Sequence, residues 1–184
     1  MSNPLRIRRT AAEWAAAGQV IEIKDKLSDF EQLAAIVEAD LAALEPGQVP
    51  EHWYNTAVTG TIGFAYADAQ GTLPVAECGV AVEVDAVCQR CLLPFRLPLL
   101  AEAKLLLLGI EQSVDGYDDY EVWELLDDML RPQDIVEELL IMAMPFAAMH
   151  SDSAACKALS SKEGGSEEMT RPFAALREQM TQDN

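Results

Sequence analysis

Bases and histidines are scarce in this chain. Thirteen Lys and Arg stand against 31 Asp and Glu among 184 residues, with two histidines, for a formal charge of −18. Such a balance opposes long-range attraction to phosphate backbones and anionic membranes and favours a basic partner. Long apolar runs are lacking too: none approaches the roughly 18 residues that a membrane-spanning helix needs. Arg6, Arg8 and Arg9 near the start are followed by neither an apolar segment nor a cleavage pattern, so no secretory signal is expected and the expected compartment is the cytoplasm. There is no Gly-rich phosphate loop, no Gly-x-Ser-x-Gly elbow and no His-Glu-x-x-His pair, and a histidine general base would have to be His52 or His150. With these signatures missing, the chain is expected not to be an enzyme. Four cysteines, Cys78, Cys88, Cys91 and Cys156, should stay reduced in the cytoplasm, where metal binding or plain burial is a better use for them than a disulfide.

What is present suits one sizeable core, since half of the residues are apolar. Thr10 and Glu13 have capping-box spacing before Trp14 and an alanine run, which predicts a short helix over 10–17, ended by Gly18. Val20, Ile21 and Ile23 read as a brief strand. Ser28 and Glu31 repeat the capping-box spacing, and Phe30, Leu33, Val37, Leu41 and Leu44 follow at helical intervals up to Pro46-Gly47. Alternating patterns then predict strands over 55–67, 72–87 and 92–107, with Pro74, Pro94 and Pro98 pointing to strand ends, edges or bulges. A short strand at Tyr120 to Trp123 is expected, and Pro132 opens a helix to about Met144, with Ile135, Val136, Leu139, Leu140 and Ala143 on one face and Asp134, Glu137 and Glu138 on the other. The fold class expected is α+β: an antiparallel meander or small barrel-like sheet with helices packed on it. Residues 1–156 are read as a single domain and 157–184 as a flexible linker and tail, with Phe173, Leu176 and Met180 as the stripe of a short terminal helix.

The chemistry centres on Cys88-Gln89-Arg90-Cys91, at the joint of two strand patterns. Two thiolates from one turn at this spacing suit a tetrahedral zinc, and His150 and Cys156 are the residues that can complete it, although their five-residue gap is wider than a tight knuckle. Free thiols in a hairpin tip are the plain alternative. A dithiol redox centre is a third reading, for which the strand flanks lack the helix N-terminus that lowers a thiol pKa. Cys78 reads as a small core residue. His52, Trp53 and Tyr54 read as core more readily than as a stacking surface for bases. Eleven carboxylates and one base, Arg131, lie between Glu111 and Glu138. A solvated face explains such a run; so does a surface for a basic partner, with Asp118, Asp119, Asp127, Asp128, Glu137 and Glu138 as candidates. For direct RNA contact the candidates are Arg6, Arg8, Arg9, Arg90 and Arg96.

Several of these segments together resemble one family. Val87-Cys88-Gln89-Arg90-Cys91-Leu92-Leu93-Pro94-Phe95 after a strand, Asp134-Ile135-Val136-Glu137-Glu138-Leu139-Leu140 leading to Met144-Pro145, then His150 and Cys156, and a terminal Arg171-Pro172-Phe173-Ala174-Ala175-Leu176 are similar to the YceD family, bacterial proteins named for large ribosomal RNA subunit accumulation. The resemblance implies a cytoplasmic factor that supports accumulation of the large-subunit RNA and has no reaction attached to it. It implies as partner a basic large-subunit ribosomal protein or a pre-ribosomal particle, with the RNA itself reached through that partner or through the arginines.

Overall fold

The computed structural model describes residues 3–110, 112, 114–126, 128–150 and Cys156. Met1–Met149 makes one compact unit, and every strand and helix below lies in it; His150 and Cys156 fall in the remainder of the chain, His150–Asn184. The expected terminal tail, Phe173 included, and Asp127 lie outside the described residues.

In chain order the elements are β1 (Arg9–Thr10), α1 (Ala11–Ala17), β2 (Val20–Lys26), α2 (Glu31–Leu41), β3 (Ala57–Tyr66), β4 (Pro74–Val87), β5 (Pro94–Gly109), β6 (Glu121–Leu125), β7 (Met129–Leu130) and α3 (Pro132–Met142). Five of the strands form one sheet in the order β2-β3-β4-β5-β6, antiparallel up to β5 and parallel between β5 and β6. The expected α+β class and the β3-β4-β5 meander are therefore present. The barrel-like alternative is not: β2 and β6 end the sheet without pairing with each other, so it stays open. β1 and β7 add a small antiparallel pair, Thr10 opposite Met129.

Period-two burial decides which face of the sheet is covered. Ile21 and Ile23, Val58, Ile62 and Phe64, Cys78, Val80, Val82 and Val84, and Leu99, Leu105 and Leu107 all point into a single core that also takes in α1, α2 and α3. α1 is closed at its start by the reciprocal capping box of Thr10 and Glu13 and at its end by Gly18 at φ 56°, as its sequence requires. It delivers Trp14, fully buried, onto Phe64 with ring centroids 5.1 Å apart. Burial of one side chain of this size contributes about 1.5–3 kcal/mol. At Gly60 in β3 a Cβ would sit 2.1 Å from the carbonyl oxygen of Gly79, so only glycine allows the two strands to approach there.

The end of β5 departs from alternation. Leu105 to Leu108 are all buried, because Leu106 and Leu108 join Val75 in a second cluster on the outer face, covered by Val114, Tyr117 and Tyr120. That packing anchors the loop before β6, while its carboxylates Asp115, Asp118 and Asp119 stay exposed.

Helix α2 corrects the expected capping box. Ser28 is not its cap: residues Leu27–Asp29 form a separate turn of tighter helix, and the N-cap is Phe30, which has no acceptor to offer. The acceptor comes from α3. Glu137 Oε1 takes the N–H groups of Gln32 at 2.7 Å and Leu33 at 3.1 Å, filling two orphan donors at the positive end of the helix dipole. Glu137, expected on the outer face of α3, is accordingly 7% exposed, whereas Glu138 faces solvent. Replacing Glu137 by Ala should lower stability by about 2 kcal/mol, because two amides lose their partner in a buried setting. Glu138→Ala should change it by less than about 0.5 kcal/mol. Urea denaturation midpoints of the two variants would check the contrast.

Candidate metal centre and acidic face

Strands β4 and β5 pair as far as Val87 opposite Pro94, and the six residues between these two form a tight knuckle. Cys88 N–H donates to the Leu93 carbonyl at 3.0 Å, and Leu92 N–H returns to the Cys88 carbonyl at 2.8 Å. The turn closes through Leu92 at φ 59°, a left-handed conformation that costs a non-glycine residue about 1–2 kcal/mol. Two outside contacts hold the knuckle. Gln89 N–H donates to the Ala148 carbonyl at 2.9 Å, and at its root Val87 N–H donates to Asp40 Oδ2 on α2 at 2.7 Å. Cys88 is fully buried and Cys91 half-buried.

Further along the chain, Cys156 Sγ lies 3.6 Å from His150 Nδ1. Cys88, Cys91, His150 and Cys156 together form a group that could hold a metal ion: each offers one ligand atom, and all four atoms lie within 4.8 Å of one another. Zn–S and Zn–N bonds of about 2.3 and 2.1 Å put tetrahedral ligands roughly 3.4–3.8 Å apart, so contraction by about an ångström would close the set. Three sulfurs and one imidazole are a borderline-soft donor set, which suits zinc better than the oxygen-seeking calcium or magnesium. These are the four residues that the spacing of the sequence singled out. Cys78 stands apart in the sheet, opposite Ile62 and Ala103, where burial pushes its thiol up to about 12. The flanks of the Cys88/Cys91 turn are strands, so the helix dipole that a redox dithiol uses is lacking at this turn.

The arginines offered for RNA contact do not stand as one open patch. Arg96 pairs across the strands with Asp85 at 3.1 Å and with Glu83 at 3.3 Å, Arg6 pairs with Asp29 at 2.5 Å, and the Arg9 guanidinium lies 4.8 Å from the Trp14 ring centre. Arg90 is exposed on the knuckle, and Arg8 lines a groove beside β6. His52, left-handed at φ 61°, and Tyr54, in the short turn of tight helix that follows, are exposed, and of the three Trp53 is the one packed against the core, so the core reading holds for Trp53 alone. Asp118, Asp119, Asp128 and Glu138 are exposed, with Asp115, Glu121 and Glu124 beside them in sequence. Of the described carboxylates in this stretch, Asp134 is the one held in an ion pair, with Arg131 at 2.8 Å.

A family model described as large ribosomal RNA subunit accumulation protein YceD matches residues 76–179, more than half of the 184 residues. The chain belongs to the YceD family. No curated protein and no solved structure matches it. The YceD match takes in the knuckle, the acidic stretch, α3, His150 and Cys156, and its description gives the family a role in accumulation of the large-subunit ribosomal RNA. No helix among the described residues is long and apolar enough to cross a membrane.

Residues that sequence reasoning missed are Asp40 and Trp123. No pattern around Asp40 announces a bond to a strand 47 positions away. Trp123 sits at an alternating position of a five-residue strand, too short to reveal which face it turns to the core.

Burial separates the thiols in reactivity. Alkylation of the native protein at pH 8, followed by peptide mass mapping, should leave Cys78 unmodified while the half-buried Cys91 of the metal-free protein reacts; in denaturant all four should react alike.

Proposed function

We propose that this YceD-family chain is a non-enzymatic, cytoplasmic factor that supports accumulation of the large-subunit ribosomal RNA by binding a basic ribosomal protein or a pre-ribosomal particle. The observation that carries it is the exposed set Asp115, Asp118, Asp119, Glu121, Glu124, Asp128 and Glu138, presented on a loop, a strand edge and a helix that the core holds in place. A partner's Lys and Arg would meet these carboxylates, and a field of one sign speeds and orients encounter more than it deepens affinity. Arg6 and Arg96, already paired with acids, favour this reading over direct RNA contact.

Zinc belongs to the same proposal. Cys88, Cys91, His150 and Cys156 would hold it, and the ion would cross-link chain positions 88 and 156, so that metal affinity is also stabilisation of the segment it joins. The residues' own part is to present three thiolates and one imidazole nitrogen; bound zinc neutralises the thiolates and removes them from redox chemistry.

Two measurements check these statements. Protein purified without chelator should contain about one zinc per chain by elemental analysis, Cys88→Ser and Cys91→Ser should abolish it, and Cys78→Ser should retain it. A wild-type sample lacking metal after zinc supplementation would end the metal reading. Separately, pull-down of basic large-subunit proteins after nuclease treatment should weaken as salt rises, and the combined variant Asp118→Asn, Asp119→Asn, Asp127→Asn, Asp128→Asn should bind several-fold less, on the order of fivefold. Unchanged binding by that variant, or binding that disappears with nuclease, would overturn the acidic-surface mechanism.

A further inference from the structure

Strand β6 ends the sheet, pairing with β5 along one side only among the described strands. Beside it runs a groove of about 900 Å³, walled by β6, the β7 segment and the first turns of α3. Its lining is mixed. Trp123, Leu125, Leu130 and Ile135 supply apolar surface continuous with the core, and Leu126 and Val122, 90% and 57% exposed, form a lip that nothing in the core uses. Glu124, Asp134 and Glu138 face the same groove, and its two bases are Arg8 and Arg131, the latter held by Asp134.

An edge strand carries a row of backbone donors and acceptors, and proteins commonly guard such edges with Lys, Pro or a bulge. β6 reads Glu-Val-Trp-Glu-Leu and has no Lys and no Pro. Its guards are Glu121 and Glu124. Set against the same edge of a second copy, these would bring like charges together, a repulsion that disfavours self-association; set against lysines and arginines, the same groups attract. The edge is therefore closed to its own kind and open to a basic strand.

We propose that the β6 edge and its groove take up an extended, Lys/Arg-rich protein segment with aliphatic side chains at alternate positions, adding it to the sheet as a sixth strand. Backbone hydrogen bonds to β6 provide the affinity, the apolar floor takes alternate side chains, and Glu124 and Glu138 meet the intervening bases. This rests on the reading that the partner is basic and names the place where such a partner sits.

The test uses the full chain, a fluorescent peptide of alternating Lys and Val, and a control peptide of equal charge with each second Val replaced by Pro. The alternating peptide should bind and slow amide exchange over residues 121–125, and the proline peptide should bind about tenfold more weakly. Glu124→Lys and Leu126→Asp should each reduce affinity by roughly tenfold; Leu126 is so exposed that its replacement leaves folding intact. Equal binding of the two peptides, or unaltered exchange at 121–125, overturns edge addition while leaving an acidic, non-specific holder standing. Protection of β6 that depends on chain concentration, or that is present without peptide and vanishes on removing residues 157–184, assigns the edge to a second copy or to the chain's own terminus and overturns the proposal as well. If neither the peptides nor any basic large-subunit protein binds at all, the functional reading itself falls.

Discussion

One oxygen atom, Oε1 of Glu137, holds the helical layer in register. A carboxylate taken out of water is costly unless its lone pairs are filled, and here they are filled by two amides that would otherwise be orphaned at the start of α2. The arrangement satisfies three buried polar groups at once and ties α3 to α2 across 105 positions of sequence. From that bond α2 acts as a strut. Its far end carries Asp40, whose carboxylate accepts the Val87 amide at the root of the Cys88 turn. Glu137 lies midway along α3, so α2 is hydrogen-bonded to α3 at its start and to the root of the knuckle near its end, with Leu33, Val37 and Leu41 buried between.

The long range of these bonds also explains which parts of the fold could be read from the sequence. Strands β3, β4 and β5 were legible because each buries one face over many residues, so their period is repeated often enough to stand out. α1 was legible because its capping box is local, with donor and acceptor three positions apart. Ser28 and Glu31 have the same spacing and no such role, because the competing partner for the α2 amides lies on another helix. Glu137 itself was placed on the wet side of α3 by a rule that puts charge outside. The rule fails for a charge with two amides waiting for it. At the end of β5 the alternation broke for a tertiary reason, since Val114, Tyr117 and Tyr120 cover the outer face. No strand-local pattern contains that fact.

The candidate metal group was legible for the opposite reason. Cys-x-x-Cys spacing is set by chain geometry, and with four thiols and two histidines in the chain the field of completing ligands was narrow. Cys78, read from its strand pattern as a small core residue, stands outside the group. Its place opposite Ile62 and Ala103 in the sheet, and a thiol held neutral by burial, agree with that reading.

Charge and fold are reconciled by division of labour. A formal −18 would strain a small core through self-repulsion if the acids were evenly mixed among the packed elements. Instead the basic residues are spent locally: Arg6 on Asp29, Arg96 on Asp85 and Glu83, Lys104 on Glu77, Arg131 on Asp134. Such exposed pairs add little stability each, yet they quiet the field over the sheet and the helix starts. A dense run of the remaining acids lies between Asp115 and Glu138, where tyrosines pin the loop and β6 ends the sheet among the described strands. Repulsion left unrelieved beside the β6 edge and its apolar floor is free energy that the proposed basic strand would release on arrival. Among the described residues no strand pairs with the outer side of β6 and no lysine stands on it, which stability alone would not favour.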